Sequence, residues 1–177
     1  EGKCEQNVLR SYGGTWDFIG DWVPPGRGMD TTNWPGKPSA ELFNNCYRVY
    51  LWELLEKSAA VLGRMDEVAR CQSALSAMRP AIHQAFYDET NGFYVTDEQA
   101  YQVMPLLFGV APPEKRDAVF AKLEANIRNR RQGHLDTGML GTYFLIEYLR
   151  QIGRDDLLFT IITQETYPGW GHKIGRA

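Results

Sequence analysis

Five residues are the candidates for handling a polar ligand: Asp21, Trp22, His134, Asp136 and Trp170. Asp21 and Trp22 are adjacent within Trp16-Asp17-Phe18-Ile19-Gly20-Asp21-Trp22, with Pro24-Pro25-Gly26-Arg27 and Trp34 close behind. A carboxylate beside an indole suits a sugar. The carboxylate accepts hydrogen bonds from hydroxyls, and the indole face covers the apolar C–H surface of the ring. The same tryptophans would also serve as covers over the ends of a helical core, and both readings stay open. For Asp21-Trp22, the flanking Gly20 and Pro24-Pro25 describe a fixed loop and favour the ligand reading. His134 and Asp136 stand just before Thr137-Gly138, at the start of an apolar helical segment. A helix N-terminus offers unpaired N–H groups to an anion or a hydroxyl oxygen, unless an Asp or Thr caps it in the ordinary way. His134, His172 and nearby carboxylates match no zinc spacing, so neither a metal nor a cofactor is expected. No G-x-S-x-G elbow and no G-x-x-x-x-G-K-[ST] phosphate loop occurs.

The elements that must position these groups read as helices from residue 39 onward. Leu51, Leu54, Leu55, Ser58, Ala59 and Leu62 recur at helical spacing, and Phe43, Tyr47, Tyr50 and Leu54 form a second apolar row. This predicts a helix over 39–62, with Ser39 as N-cap and Gly63 as its stop. Val68, Cys71, Leu75, Met78, Ile82 and Phe86 predict the next helix, which Pro80 should kink or split. Further helices are expected over 98–108, from Pro112-Pro113-Glu114 onward, over 138–152, and around Leu157, Leu158, Ile161 and Ile162. The 138–152 segment is apolar on most sides, which predicts burial by several neighbours.

Gly63, Gly109 and Gly153 close tight connections about 45 positions apart, the period of one helix hairpin. The other connections are longer and rich in polar and aromatic residues: 88–94, 132–137, 165–172 and the N-terminal stretch 12–38. Successive loops of an up-and-down array alternate between its ends. The long loops should therefore share one end, which becomes the functional face. The layout expected over 1–177 is irregular chain to 38, helical hairpins over 39–164 and a final loop over 165–177.

Composition limits the partners. The chain has 177 residues, with Lys+Arg 19 against Asp+Glu 22 and a net charge of -3. That balance offers no excess cation to displace phosphate counterions, so nucleic acid is not an expected partner. No apolar run reaches the ~20 residues of a membrane span, so no membrane partner is expected either. Cys46 and Cys71 sit at core-type helical positions and read as reduced thiols. The chain begins at Glu1 without Met, which reads as a processed start or a piece of a longer protein.

Four blocks occur in order: Gly20-Asp21-Trp22-Val23-Pro24-Pro25-Gly26, Phe43-Asn44-Asn45-Cys46-Tyr47, His134-Leu135-Asp136-Thr137-Gly138-Met139-Leu140-Gly141-Thr142, and Thr166-Tyr167-Pro168-Gly169-Trp170-Gly171. Together they resemble the catalytic helical domain of bacterial α-L-rhamnosidases, glycoside hydrolase family 78. The resemblance implies an all-α fold, part of an α/α toroid of six antiparallel helix hairpins. It also implies inverting hydrolysis of terminal α-L-rhamnosides, which uses two carboxyl groups roughly 6.5–9.5 Å apart. The family's acid lies in an Asp-Glu-Arg-type block before the Gly-Asp-Trp loop, and its base lies in a Thr-Thr-x-Trp-Glu-type block after the Trp-Gly loop. Neither block is in this chain, so no catalytic residue is assigned and the isolated chain is expected to be inactive. By its matching motif Trp22 would pack on the sugar, and Asp21 would bind hydroxyls or order its neighbours. His134, Asp136 and Trp170 would lie at the rim. A rhamnose-containing glycoside is the implied ligand. About three of six hairpins would leave apolar faces open to self-association or to companion segments. The alternatives are a non-catalytic helical-repeat binding scaffold and another α/α-toroid glycosidase.

Overall fold

The computed structural model describes residues 4–11, 18–26 and 37–174; the expectations for Trp16, Asp17, Arg27 and Trp34 lie outside the described residues. Three helix hairpins dominate: α1 (Pro38–Val61) with α2 (Met65–Phe86), α3 (Gln99–Leu107) with α4 (Pro113–Ala125), and α5 (Met139–Gln151) with α6 (Asp155–Ile162). Each closes by the same device. Gly63, Gly109 and Gly153 take φ of +69°, +65° and +69°, a region that costs a residue with a Cβ about 1–2 kcal/mol. The N–H after each glycine then reaches back to a carbonyl of the last turn: Arg64 to Ala59, Val110 to Pro105 and Arg154 to Leu149, all at 2.9 Å.

Several local expectations change. α1 starts at Pro38 with Lys37 as its N-cap, so Ser39 is inside the helix and is not its cap. Proline supplies a helical φ at the first position, where its missing N–H costs nothing. α2 runs unbroken through Pro80. The stretch after 164 is not all loop, because α7 (Trp170–Ile174) forms a short helix there. The N-terminal stretch contains a two-stranded ribbon, β1 (Cys4–Glu5) against β2 (Val8–Leu9), turned by Gln6 and Asn7 at positive φ. A second ribbon, β3 (Tyr87–Asp88) against β4 (Phe93–Tyr94), replaces part of the loop after α2. Its turn is held by the Asp88 carboxylate, which accepts from the N–H groups of Thr90 and Asn91.

The core lies around α3. Every residue from Gln99 to Leu106 is buried, and α1, α4 and α5 surround the helix. Phe108 and Phe144 meet edge-on at 5.3 Å, and Tyr50 closes the group at 5.3 Å from Phe108. Cys46 and Cys71 are buried free thiols, and Cys4 is exposed.

Helix lengths do not match, and two burial expectations are overturned. The Gly109 turn abuts Arg79, whose Nε donates to the Phe108 carbonyl at 2.9 Å. Arg79 lies about 14 residues, or roughly 21 Å of helix, from the start of α2. The tip of the α1–α2 hairpin therefore outruns that of the α3–α4 hairpin. Leu51, Leu55 and Leu62 of the predicted apolar stripe are 50%, 50% and 70% exposed. α5 is also bare on one side, with Met139 68% and Tyr143 58% exposed. Among the described residues, no helix is long and apolar enough to cross a membrane.

Candidate functional site

Three segments converge at the N-termini of α3 and α5. The first is 18–26, anchored by Asp21. Its carboxylate is buried and bridges the start of α5: Oδ2 accepts the Gly138 N–H at 2.6 Å and Oδ1 accepts the Gly141 N–H at 2.7 Å. The half-buried Trp22 contributes its carbonyl, which accepts the Met139 N–H at 2.9 Å. Three of the four donors that a helix start leaves unpaired are thus met by residues some 120 positions earlier in the chain. Two glycines make the approach possible. A Cβ on Gly138 would collide with the Trp22 carbonyl, and one on Gly141 with the Asp21 carboxylate. Val23 then takes φ +56°, rare for a β-branched residue, and turns the chain toward Pro25 and Gly26.

The second segment is 126–136. α4 passes into a π-helical turn, Asn126–Arg130, in which the Arg131 N–H reaches the Asn126 carbonyl at 2.8 Å. Asp136 is buried and acts on α3 as Asp21 does on α5, with Oδ1 accepting the Gln99 N–H at 2.9 Å. Gln99 answers: its Oε1 accepts the Asp136 N–H at 3.2 Å, and its Nε2 donates to the His134 carbonyl at 2.9 Å and to Asn126 Oδ1 at 3.0 Å. This is the reciprocal logic of a capping box, made between residues far apart in sequence. Asp136 Oδ2 accepts from Arg131 Nε at 3.0 Å and from Asn126 Nδ2 at 3.3 Å.

The third segment is 164–170. Gln164 offers its carbonyl to the Gly171 N–H at 3.1 Å, and the Tyr167–Pro168 bond is cis. His134 ties the second segment to the third. Its Nδ1 donates to the Arg131 carbonyl at 2.9 Å, and its Nε2 lies 2.7 Å from the Thr166 hydroxyl. Tyr167 ties the third segment to the first, its phenol oxygen accepting the Gly26 N–H at 3.2 Å. The segments enclose a cleft of about 290 Å³ lined by Pro25 and Gly26, by Arg130, Arg131 and His134 through Asp136, and by Tyr167 and Pro168.

Of the five sequence candidates, His134 and Asp136 line this cleft, while Asp21, Trp22 and Trp170 are not among its lining residues. Trp170 opens α7 and rests against the apolar core. The 88–94 connection takes no part. Glu89 pairs with Lys115 at 2.5 Å, and Gly92 lies beside Lys122, so the ribbon folds along α4. Sequence reasoning passed over Gln99, Asn126, Arg131 and Tyr167. Tyr167 lies inside the Thr166-Tyr167-Pro168-Gly169-Trp170-Gly171 block; the other three carry no local pattern. Among the described residues, no group of three or more His, Cys, Asp or Glu is placed to hold a metal ion.

Burial sets the electrostatics. It pushes the Asp21 carboxyl up to about 6, against the two N–H donors that pull it down, and the negative charges of Asp136 and Glu98 raise it further. Burial also raises Asp136, against its hydrogen bonds from Gln99, Arg131 and Asn126. A carboxyl raised above its unfolded value holds its proton longer in the folded chain. Its stabilising contribution is full below about pH 4 and is lost as pH rises through about 6. The unfolding free energy of the wild type should therefore decline relative to that of Asp21→Asn by about 3 kcal/mol between pH 4 and pH 7. Urea titrations of both proteins at several pH values measure this. A gap that does not change with pH would show that Asp21 titrates alike in the folded and unfolded chain.

Comparison with known proteins places this geometry. Residues 4–177 match the profile of the bacterial alpha-L-rhamnosidase 6 hairpin glycosidase domain. An alpha-L-rhamnosidase of Formosa agariphila is 29% identical over 156 residues, covering 88% of this chain and 16% of that protein. One from Alteromonas sp. (strain LOR) is 27% identical over 162 residues, covering 88% of this chain and 17% of that protein. The structure of alpha-L-rhamnosidase from Dictyoglumus thermophilum superimposes with a TM-score of 0.81 at 26% identity, over 96% of this chain and 18% of that one. Streptomyces avermitilis alpha-L-rhamnosidase complexed with L-rhamnose shares the fold at a TM-score of 0.79 and 24% identity, over 97% of this chain and 15% of that one. The chain spans only 16–17% of the length of these two curated relatives.

Proposed function

The chain belongs to the family of bacterial alpha-L-rhamnosidase six-hairpin glycosidase domains, and on that premise we propose that it forms part of the sugar-binding wall of an enzyme that hydrolyses terminal α-L-rhamnosides with inversion. The observation that carries this reading is the cleft: three loops far apart in sequence close on one hollow of mixed polar and apolar lining beside the N-termini of α3 and α5. In this reading the three hairpins are half of a toroid, and the acid and base carboxylates come from segments other than these. Asp21 acts by ordering the loop that carries Trp22, because both of its oxygens are committed to α5. The bare apolar sides of α1 and α5 support association with further hairpins or with another copy, read as mass above the monomer in light scattering.

The test is a titration of the 177-residue chain with L-rhamnose, followed by amide NMR signals, with D-glucose as control. Saturable shifts should be confined to 18–26, 130–137 and 164–170. The same chain should show no turnover of an aryl α-L-rhamnoside. Shifts spread over the helix surfaces, or none at all, would favour the helical scaffold reading.

A further inference from the structure

Resting on the rhamnoside reading, we propose that Arg131 is the residue of this cleft that grips the sugar, and that Asp136 is its positioning residue and does not itself contact the ligand. Both oxygens of Asp136 are already engaged inside the protein, Oδ1 by the Gln99 N–H and Oδ2 by Arg131 Nε and Asn126 Nδ2. Its side chain is 5% exposed, against 32% for Arg131. Arg131 is held at one end only. Its Nε meets Asp136, and among the described residues neither of its Nη groups has a hydrogen-bond partner. The guanidinium is therefore held at Nε by a buried carboxylate, and Arg131 lines the cleft. Gln99 and Asn126 hold Asp136 in turn, so the fork sits on a rigid base.

Charge selects the kind of ligand. Arg131 is neutralised by Asp136, and Arg130, on the same wall, is paired with Asp97. The cleft thus offers donors without net positive charge. That favours a neutral pair of neighbouring hydroxyls, which accept two N–H bonds from one planar fork, over a phosphate or carboxylate that would need uncompensated charge.

A double-mutant cycle on the 177-residue chain, read by the L-rhamnose titration and by the Arg131 Nε–H signal, tests this. Arg131→Lys keeps the charge but loses the fork, and should weaken L-rhamnose binding about tenfold to a hundredfold with the thermal midpoint nearly unchanged. Asp136→Asn should weaken binding through Arg131, so the Arg131→Lys/Asp136→Asn double variant should bind no worse than Arg131→Lys. The Nε–H signal should shift on adding sugar in the wild type. If the losses add in the double variant, Asp136 touches the sugar itself and the proposed division of roles is wrong. If Arg131→Lys binds like the wild type while shifts in 18–26 and 164–170 persist, Arg131 is not the grip, though the rhamnoside reading stands. If no signal of the wild type moves with L-rhamnose, the rhamnoside reading fails and the Arg131 contact fails with it.

Discussion

Gly138→Ala is expected to lower the unfolding free energy by about 3 kcal/mol, or roughly 6–12 °C in Tm for a chain of this size. The backbone angles of Gly138, φ -77° and ψ -165°, suit any residue. The cost therefore comes from contact, because the new methyl must displace the Trp22 carbonyl and the Asp21 carboxylate from the start of α5. Moving them unpairs the N–H groups of Gly138, Met139 and Gly141 in a buried place. Gly141→Ala makes the complementary case. Alanine is the better helix former by about 1 kcal/mol, yet this variant should also be destabilised, because its methyl meets the Asp21 carboxylate. Calorimetry on both variants decides the matter. If Gly141→Ala raises Tm, loop 18–26 is not seated on α5 in solution.

Gln99→Met should cost about 3–5 kcal/mol, measured by urea unfolding. Methionine preserves length and helix preference but can neither donate nor accept. It leaves the Asp136 N–H, the His134 carbonyl and Asn126 Oδ1 without the partner that joined them. Gln99 is fully buried, so no water replaces the lost bonds. Asn126→Leu removes a neighbouring member of the same network. The two costs should therefore fall short of additivity in the double variant, by about 1 kcal/mol or more. Additive losses would mean that Gln99 and Asn126 act separately and that segment 134–136 is held by something else.

The hairpin plan was legible in the residues because its cues are local. Apolar spacing marks a helix, and Gly63, Gly109 and Gly153 mark the places where a helix must end and turn. The alternation of short and long connections then placed the loops bearing Asp21, His134 and Tyr167 at one end, and the cleft is there. The same reasoning misjudged the stripe Leu51-Leu55-Leu62 and the bare side of α5, because spacing shows that a face is apolar and not which neighbour covers it. It also put the 88–94 loop at the site, whereas Tyr94 of that ribbon is buried in the core and Glu89 pairs with Lys115 of α4.

The chain by itself determined the helix hairpins and that the long loops would lie at one end of them, since both follow from local conformational preference and from the two-ended geometry of an antiparallel array. Only the tertiary structure decided what each does. Asp21 and Asp136, readable as sugar ligands, became caps on α5 and α3, and the exposed donors passed to Arg131. The reason is that a buried carboxylate must spend its lone pairs on whichever N–H groups the fold brings to it, and those donors lie 37 and 120 positions away along the chain, beyond the reach of any local pattern.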